Sequence, residues 1–293
     1  WEKIPELVQV NGMLKRWYQS LRFAEQGPDV GLRSFTDRTR EVRQEGKETV
    51  ELVAIGIHKL KKLTGDKYSI DFLDRWLDGF LLSRVGSNML LDQYYACARK
   101  QDGGLERPTG IINRQCDAVA VCKQAADYAL RVSRVHAGKE PLIHLENYVA
   151  GKKGPQNDSP CYFSFVPAHL RYIMVEILKN SCDATLRHTK DGRDLQEHPI
   201  HVLVCSDQTQ VGIRVSDRAG GIPFDVIEKI WSYLWSTAVR DEKQPSWAQY
   251  GVGLPHAKLH ARYLGGKLEL TSYPGYGTDV SVVLPRVDVD QGP

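Results

Sequence analysis

Long apolar runs are missing from this chain of 293 residues. No window approaches the roughly 18 uninterrupted apolar residues that a bilayer-crossing helix needs, so the chain reads as soluble and any membrane contact as peripheral. A surplus of one charge is missing as well: 39 basic residues face 36 acidic ones, and the net +3 is too small for the broad positive field of a generic nucleic-acid binder. The six cysteines, Cys97, Cys116, Cys122, Cys161, Cys182 and Cys205, form no C-x-x-C pair and lie among apolar neighbours. That is unlike a disulfide framework or a zinc site and points to a reducing compartment. There is no internal repeat and no long low-complexity segment. What is present is ordinary globular composition, 42% hydrophobic and 26% charged, which excludes disorder and suits one large or two ordinary domains. The triplet Asn157-Asp158-Ser159 matches a glycosylation sequon of a kind that often arises by chance. The chain starts at Trp1 rather than Met, so the absence of a targeting segment from it says nothing.

The first half reads as helical. Val50, Val53, Ile57 and Leu60 are spaced 3, 4, 3, and Ile70, Leu73, Leu77 and Phe80 repeat that rhythm, so each run predicts one apolar stripe on an amphipathic helix. A third run, about 116 to 136, carries Val119, Cys122, Ala126 and Leu130, and a fourth lies near Met13 to Phe23. Four such helices pack most simply as a bundle. The polar stretch Gly151 to Pro160, with breakers at both ends, reads as a linker, so the expected division is 1–155 and 156–293. Beyond it, β-rich runs at 162–166, 200–205, 211–216, 267–271 and 279–284 alternate with helical stretches at 169–187 and 255–264. A sheet with helices packed on it is the expected architecture there.

In the helix from His169 to Arg187, Glu176, Asn180 and Asp183 fall within roughly 60° of one another, while Leu170, Met174, Ile177 and Cys182 fill the remaining arc. Taken alone, such a polar row is as compatible with a solvated helix face as with a site. The strand ending at Ser216 runs into Asp217-Arg-Ala-Gly220-Gly221, where two glycines after a carboxylate permit a sharp turn and close ligand approach. Further on, Gly251-Val252-Gly253-Leu254-Pro255 opens a helix, and free N–H groups at a glycine-rich helix start suit a phosphate, though a plain capped loop has the same pattern. Gly275-Tyr-Gly277-Thr278 then leads into the last strand, as an ordinary β-turn also would.

The order of these elements is more specific than any of them. E-x-x-K-N-S-x-D-A, D-x-x-G-G, G-x-G-L-P and G-x-G-T, over Glu176 to Asp279, resemble the four nucleotide-binding boxes of the GHKL ATPase and kinase superfamily. Phe165-Val-Pro-Ala-His169-Leu, Ser216 to Pro223, Ser236-Thr237-Ala238 and Gly253 to Tyr263 narrow the likeness to the mitochondrial protein kinases that act on pyruvate dehydrogenase or branched-chain 2-oxoacid dehydrogenase. Phe72-Leu-Asp74, Leu82-Ser-Arg84 and Met89-Leu90 extend it into the helical half.

The resemblance implies an N-terminal four-helix bundle for regulation and docking, followed by a GHKL α/β sandwich that binds ATP with Mg²⁺. It implies a serine kinase that phosphorylates, and so inactivates, the decarboxylase α subunit of the pyruvate dehydrogenase complex. The branched-chain complex and an ATP-binding scaffold without transfer activity are the alternatives. By the same resemblance, Glu176 orients and deprotonates the serine, Lys179 adds positive charge, Asn180 holds Mg²⁺, and Asp217 accepts from the adenine amino group. Asp183, Gly221 and Thr278 join the ATP site, with Thr278 donating near adenine. Ser236 and Thr237 start a lid, and Gly251, Val252, Gly253 and Leu254 close its far end over the phosphates. The usual protein-kinase signatures (H-R-D, D-F-G) and the P-loop are absent, as this separate solution requires. A histidine kinase is disfavoured, because none of the nine histidines sits in an H-E or H-D context.

The implied partners are the decarboxylase subunit, the lipoyl-bearing core of the complex and a second copy of the chain, in the mitochondrial matrix. Four positions depart from the family pattern: Ala219 and Gln249 replace glycines, Asp183 replaces an arginine, and Gly46 stands where the family carries a histidine that contacts the base. The tail after Pro285 is short beside the family's crossover tail.

Overall fold

The computed structural model describes residues 1–23, 30–98, 110–157, 159–189, 192–235 and 251–286. These form two compact units, one from Trp1–Gly110 with Ile230–Val252, the other from Ile111–Lys229 with Gly253–Pro293.

The first unit is helical. Helix α1 (Pro5–Arg22) starts with a proline in its first turn, where the missing N–H has no partner to lose, and buries Val10, Met13 and Trp17 at spacing 3, 4. Helix α2 (Val30–Glu45) contributes Val42 to the same cluster, and the Trp17 indole N–H donates to Glu45 at 2.7 Å. Helix α3 (Thr49–Thr64) buries Val53, Ala54 and Ile57 as its periodicity predicts. Helix α4 (Ile70–Ala98) does so through Leu73, Leu77, Leu81 and Val85. Its expected stripe is therefore corrected at both ends. Ile70 is exposed, and Phe80 stacks flat on Trp76 with ring centroids 5.7 Å apart rather than entering the core. Past α4, a single turn of 3₁₀ helix (Lys229–Trp231) leads to Tyr233, whose N–H donates to Asp74 at 3.0 Å and whose hydroxyl donates to Asp78 at 2.6 Å.

The second unit is a two-layer α/β sandwich. Strand β1 (Asn113–Asp117) pairs antiparallel with β3 (Tyr162–Phe165), and a five-stranded sheet has the order β2-β4-β5-β7-β6. Its members are β2 (Ile143–Val149), β4 (Ile200–Ser206), β5 (Gln210–Asp217), β6 (Lys267–Tyr273) and β7 (Gly277–Pro285). Only β2 and β4 run parallel; the other pairs are antiparallel. Alternation sends Ile200, Val202, Val204, Val211, Ile213, Val215, Val280, Val282 and Leu284 to the covered face. Helices α5 (Ala118–Ala137), α6 (Pro167–His188) and α8 (Gly253–Tyr263) pack on that sheet, and α7 (Gly192–Glu197) is a short connector.

Two expectations change here. The helix assigned to residues 116–136 exists as α5, but it packs against α6 and belongs to the sandwich; the fourth helix of the first unit is α2. The polar stretch 151–160 is a loop between β2 and β3 within the second unit, and the units divide after Gly110. The fully buried Asn147 pins this loop: its backbone N–H donates to the Asn157 side-chain Oδ1 at 3.0 Å, and its side-chain amide donates to the Ser159 backbone carbonyl at 2.8 Å. All six cysteines are free. Burial pushes the Cys116 thiol up to about 11 and Cys182 to about 12, so both stay protonated and unreactive.

Candidate ATP site

Helix α6 carries the first group of site residues. Its apolar arc is the anchor: Leu170, Met174, Ile177 and Cys182 are all but inaccessible. Glu176 lies at the margin of that arc and is buried as well, with Lys179 donating to its carboxylate at 3.0 Å. The Lys179 ammonium offsets the charge of the buried carboxylate at Oε1, while Oε2 faces the start of α8. Asn180 and Asp183 continue the row into solvent, and Asp183 is ion-paired with Arg187 at 2.7 Å. The three residues share a face as their spacing predicts; only Glu176 is enclosed.

Helix α8 meets this carboxylate. It begins at Gly253, and a Cβ built on that residue would meet Glu176 Oε2, so glycine lets the helix start approach the carboxylate closely with the side chain in its present place. Gly251 precedes it with φ +70°, Val252 is buried and Leu254 half-buried. The first turn of α8 thus stands beside Glu176 with the unpaired backbone N–H groups that every helix start offers.

The second group assembles at the ends of β5 and β7, whose register sets Asp217 opposite Thr278 and Ser216 opposite Asp279. Asp217 is buried and its Oδ1 accepts from the backbone of Ala219 at 3.2 Å and of Thr278 at 3.3 Å. Burial raises its pKa, and the hydrogen bonds from Ala219, the Ser181 side chain and Thr278 oppose that rise. The result is a fixed acceptor in an enclosed spot, which suits an amino group of a base and repels a carbonyl. Thr278 is buried and shares a 2.8 Å hydrogen bond with the Ser272 hydroxyl, which accepts from the Ile222 backbone at 2.8 Å. Gly221 has φ +69°, and a Cβ there would strike the Tyr273 carbonyl, so the turn after Asp217 closes only with glycine. Across the mouth of this turn, the Arg218 guanidinium lies 4.5 Å from the Tyr276 ring centroid.

The structure therefore brings Glu176, Lys179 and Gly253 together at one place, and Asp217, Gly221 and Thr278 at another on the same unit. Ser236 and Thr237, like Gln249, lie outside the described residues. Two contributors were missed in the sequence. Ser181 follows Asn180 inside a quoted box and could have been found as a hydroxyl on an apolar arc; Ser272 carries no local signal and reaches Thr278 only through the β6–β7 pairing. Among the described residues no group of three or more His, Cys, Asp or Glu could hold a metal alone.

A helix layer over a mixed sheet, with an acid-asparagine helix and a buried aspartate before a double-glycine turn, defines an ATP-binding domain of the GHKL class. In keeping with this, residues 166–288 match the family model described as histidine kinase-, DNA gyrase B- and HSP90-like ATPase. Residues 4–113 match that of mitochondrial branched-chain alpha-ketoacid dehydrogenase kinase. The human mitochondrial pyruvate dehydrogenase (acetyl-transferring) kinase isozyme 4 is 32% identical, covering 93% of this chain and 68% of its own length. The Ascaris suum mitochondrial pyruvate dehydrogenase kinase is 31% identical over 95% and 71%. The rat isozyme 1 is 30% identical over 87% and 59%. The chain belongs to the mitochondrial pyruvate dehydrogenase kinase family.

Proposed function

We propose that this chain is an ATP-dependent protein serine kinase that phosphorylates, and thereby inactivates, the decarboxylase α subunit of the pyruvate dehydrogenase complex. The observation that carries the reading is the contact of the buried Glu176 carboxylate with the glycine that opens α8. It places an acid-base group beside backbone N–H groups able to receive a phosphate, and phosphoryl transfer asks for little more than alignment and charge stabilisation. Glu176 takes the proton from the serine hydroxyl, Lys179 adds positive charge beside it, and Asp217 accepts from the adenine amino group with Thr278 alongside. Gly251, Val252, Gly253 and Leu254 face the phosphates. Ser236 and Thr237 belong to the start of the lid, and Asp183 and Gly221 complete the ATP site.

A magnesium ion fits the donor set through Asn180. Its exposed amide oxygen is a single neutral donor, which suits an ion that keeps several waters and arrives on substrate phosphates. Such an ion would screen charge between the phosphates.

The curated relatives are named mitochondrial, and the matrix is the site we assign. The helical unit would dock the lipoyl-bearing core of the complex, and the chain would act as a homodimer. A second reading, kinase for the branched-chain complex, is favoured only by the model that matches residues 4–113.

Labelled ATP, Mg²⁺ and each purified decarboxylase subunit decide the matter. Serine labelling of the pyruvate dehydrogenase subunit is expected; labelling of the branched-chain subunit alone would select the second reading. Absence of labelling on both, with ATP binding intact, would overturn the kinase assignment. Glu176→Gln is expected to lower transfer by about 100-fold or more with ATP affinity kept within about threefold.

A further inference from the structure

Helices α6 and α8 meet along a polar seam that ATP binding does not explain. On α6 the positions are His169, Tyr172 and Glu176; on α8 they are Gly253, His256 and His260. Both sets step by three and then four residues, so each lies on one helix face. They contact in reverse order as three successive pairs. Glu176 touches the space over Gly253, the Tyr172 hydroxyl is 2.8 Å from His256 Nδ1, and His169 Nδ1 is 2.9 Å from His260 Nδ1. The Tyr172 and His260 rings lie with centroids 4.5 Å apart, and the His256 and His260 rings 4.7 Å apart.

Two facing Nδ1 atoms require one to donate and the other to accept, so the His169–His260 pair holds one proton between them. Burial pushes His256 down to about 4, with His169 adding to the shift, and His260 lower still. His256 and His260 are thus neutral at pH 7, and each hydrogen bonds to a fixed partner across the seam. An apolar helix interface can slide by a fraction of an ångström at little cost; a buried hydrogen bond cannot, because its strength falls steeply with distance and angle. The pair at Tyr172 and His256 lies one helical turn from the pair at Glu176 and Gly253 on both helices.

We propose that Tyr172 and His256, backed by His169 and His260, are positioning residues that fix the register of α8 on α6, and with it the distance from the Glu176 carboxylate to the phosphate-facing first turn of α8. The proposal rests on the reading of Glu176 as the base.

The test is steady-state serine phosphorylation by the full chain, with MgATP affinity measured separately by a fluorescent nucleotide. The variants are Tyr172→Phe, His256→Phe, the two combined, and His256→Gln, which keeps an acceptor within reach of the hydroxyl. Each Phe variant is expected to lose about tenfold in kcat with KM for ATP within about threefold, and the double variant to lose no more than either single one. His256→Gln should recover to within about threefold of the unaltered chain. Wild-type kcat in both Phe variants, losses that multiply in the double variant, or an effect on KM alone would overturn the proposal. Should His256→Phe fail to fold, Tyr172→Phe beside His256→Gln gives the same decision. Glu176→Gln separates the two levels. If it is inactive while the Phe variants are fully active, only the positioning role falls; if it transfers at full rate, the base falls and the positioning role with it.

Discussion

At the scale of single residues, function and stability oppose each other at Asp217. Its carboxylate is buried, and desolvation raises its pKa despite three donors. Asn in its place keeps an oxygen for the Ala219 and Thr278 N–H groups and removes the charge, but its amide can present a second donor to the adenine amino group. Asp217→Asn is therefore expected to melt at or above the temperature of the unaltered chain while binding ATP about 10- to 100-fold more weakly. Calorimetry and nucleotide titration on the same sample check it, and a variant that binds ATP normally sinks the adenine assignment. Gly253→Ala tests the other half of the site. The added methyl meets the mobile end of Glu176 rather than backbone, so the carboxylate swings away and the fold survives. Transfer should fall by about tenfold or more with the melting temperature within a few degrees. Glu176 and Asp217 could be read from the sequence because each sits in a box with fixed spacing. Their surroundings could not: Asp217 reaches Thr278 through strand register and Ser181 through helix packing, and neither is encoded in local spacing.

At the scale of elements, what could be read followed periodicity. Helices α3 and α5 show apolar stripes that predict them; α2 buries only Val42 and Thr39 among its described side chains, too little for a stripe. Strand β1 has the exposed run Asn113 to Gln115, and β2 places the polar Asn147 at its buried position, so neither showed the alternation that revealed β4 and β7. The wrong partner for α5 has a similar cause, since an amphipathic stripe says that a helix is covered and not by what. Its stripe is rich in small residues: Ala125 and Ala129 are inaccessible on a helix whose main neighbour is α6. Ala129→Leu should cost about 1–3 kcal/mol through overpacking, measured by urea unfolding; a change below about 0.5 kcal/mol would contradict close packing there. The α6–α8 seam adds a pH dependence. His256 has its folded pKa depressed to about 4, below the ordinary 6.5, and the groups facing it are Tyr172, His169 and His260. The unfolded chain takes up a proton as pH falls through 6.5 while the folded chain does not, so stability is full above that pH and declines toward pH 4. For His256 alone the loss is on the order of 3 kcal/mol. Urea midpoints at pH 7 and pH 5 check the sign, and His256→Gln should flatten the slope.

At the scale of the whole molecule, the near-neutral balance of +3 suits the proposed ATP site, where one nucleotide would be placed by fixed donors and acceptors rather than by a broad field. All the described site residues other than Gly251 and Val252 belong to the unit of Ile111–Lys229 and Gly253–Pro293. Binding to the folded state alone stabilises by mass action, so MgATP at about 100 times its dissociation constant should add about 2.7 kcal/mol and raise the melting transition of that unit by about 5–10 °C. Chelating the metal should remove most of the shift, because the lone amide oxygen proposed as the metal ligand at Asn180 would hold an ion only together with phosphate. Amide exchange locates the effect: slowing is expected at Asp217 to Gly221, at Thr278 and in the facing turns of α6 and α8, where the site residues lie. A melting temperature that ignores MgATP, or slowing confined to α1 through α4, would place the nucleotide elsewhere and remove the physical basis for Glu176 as the base. If the shift and its location hold while Asp217→Asn cuts the shift to about half or less at the same MgATP concentration, the nucleotide is bound where the strand register puts Thr278 opposite Asp217, and the remaining question is one of acceptor choice alone.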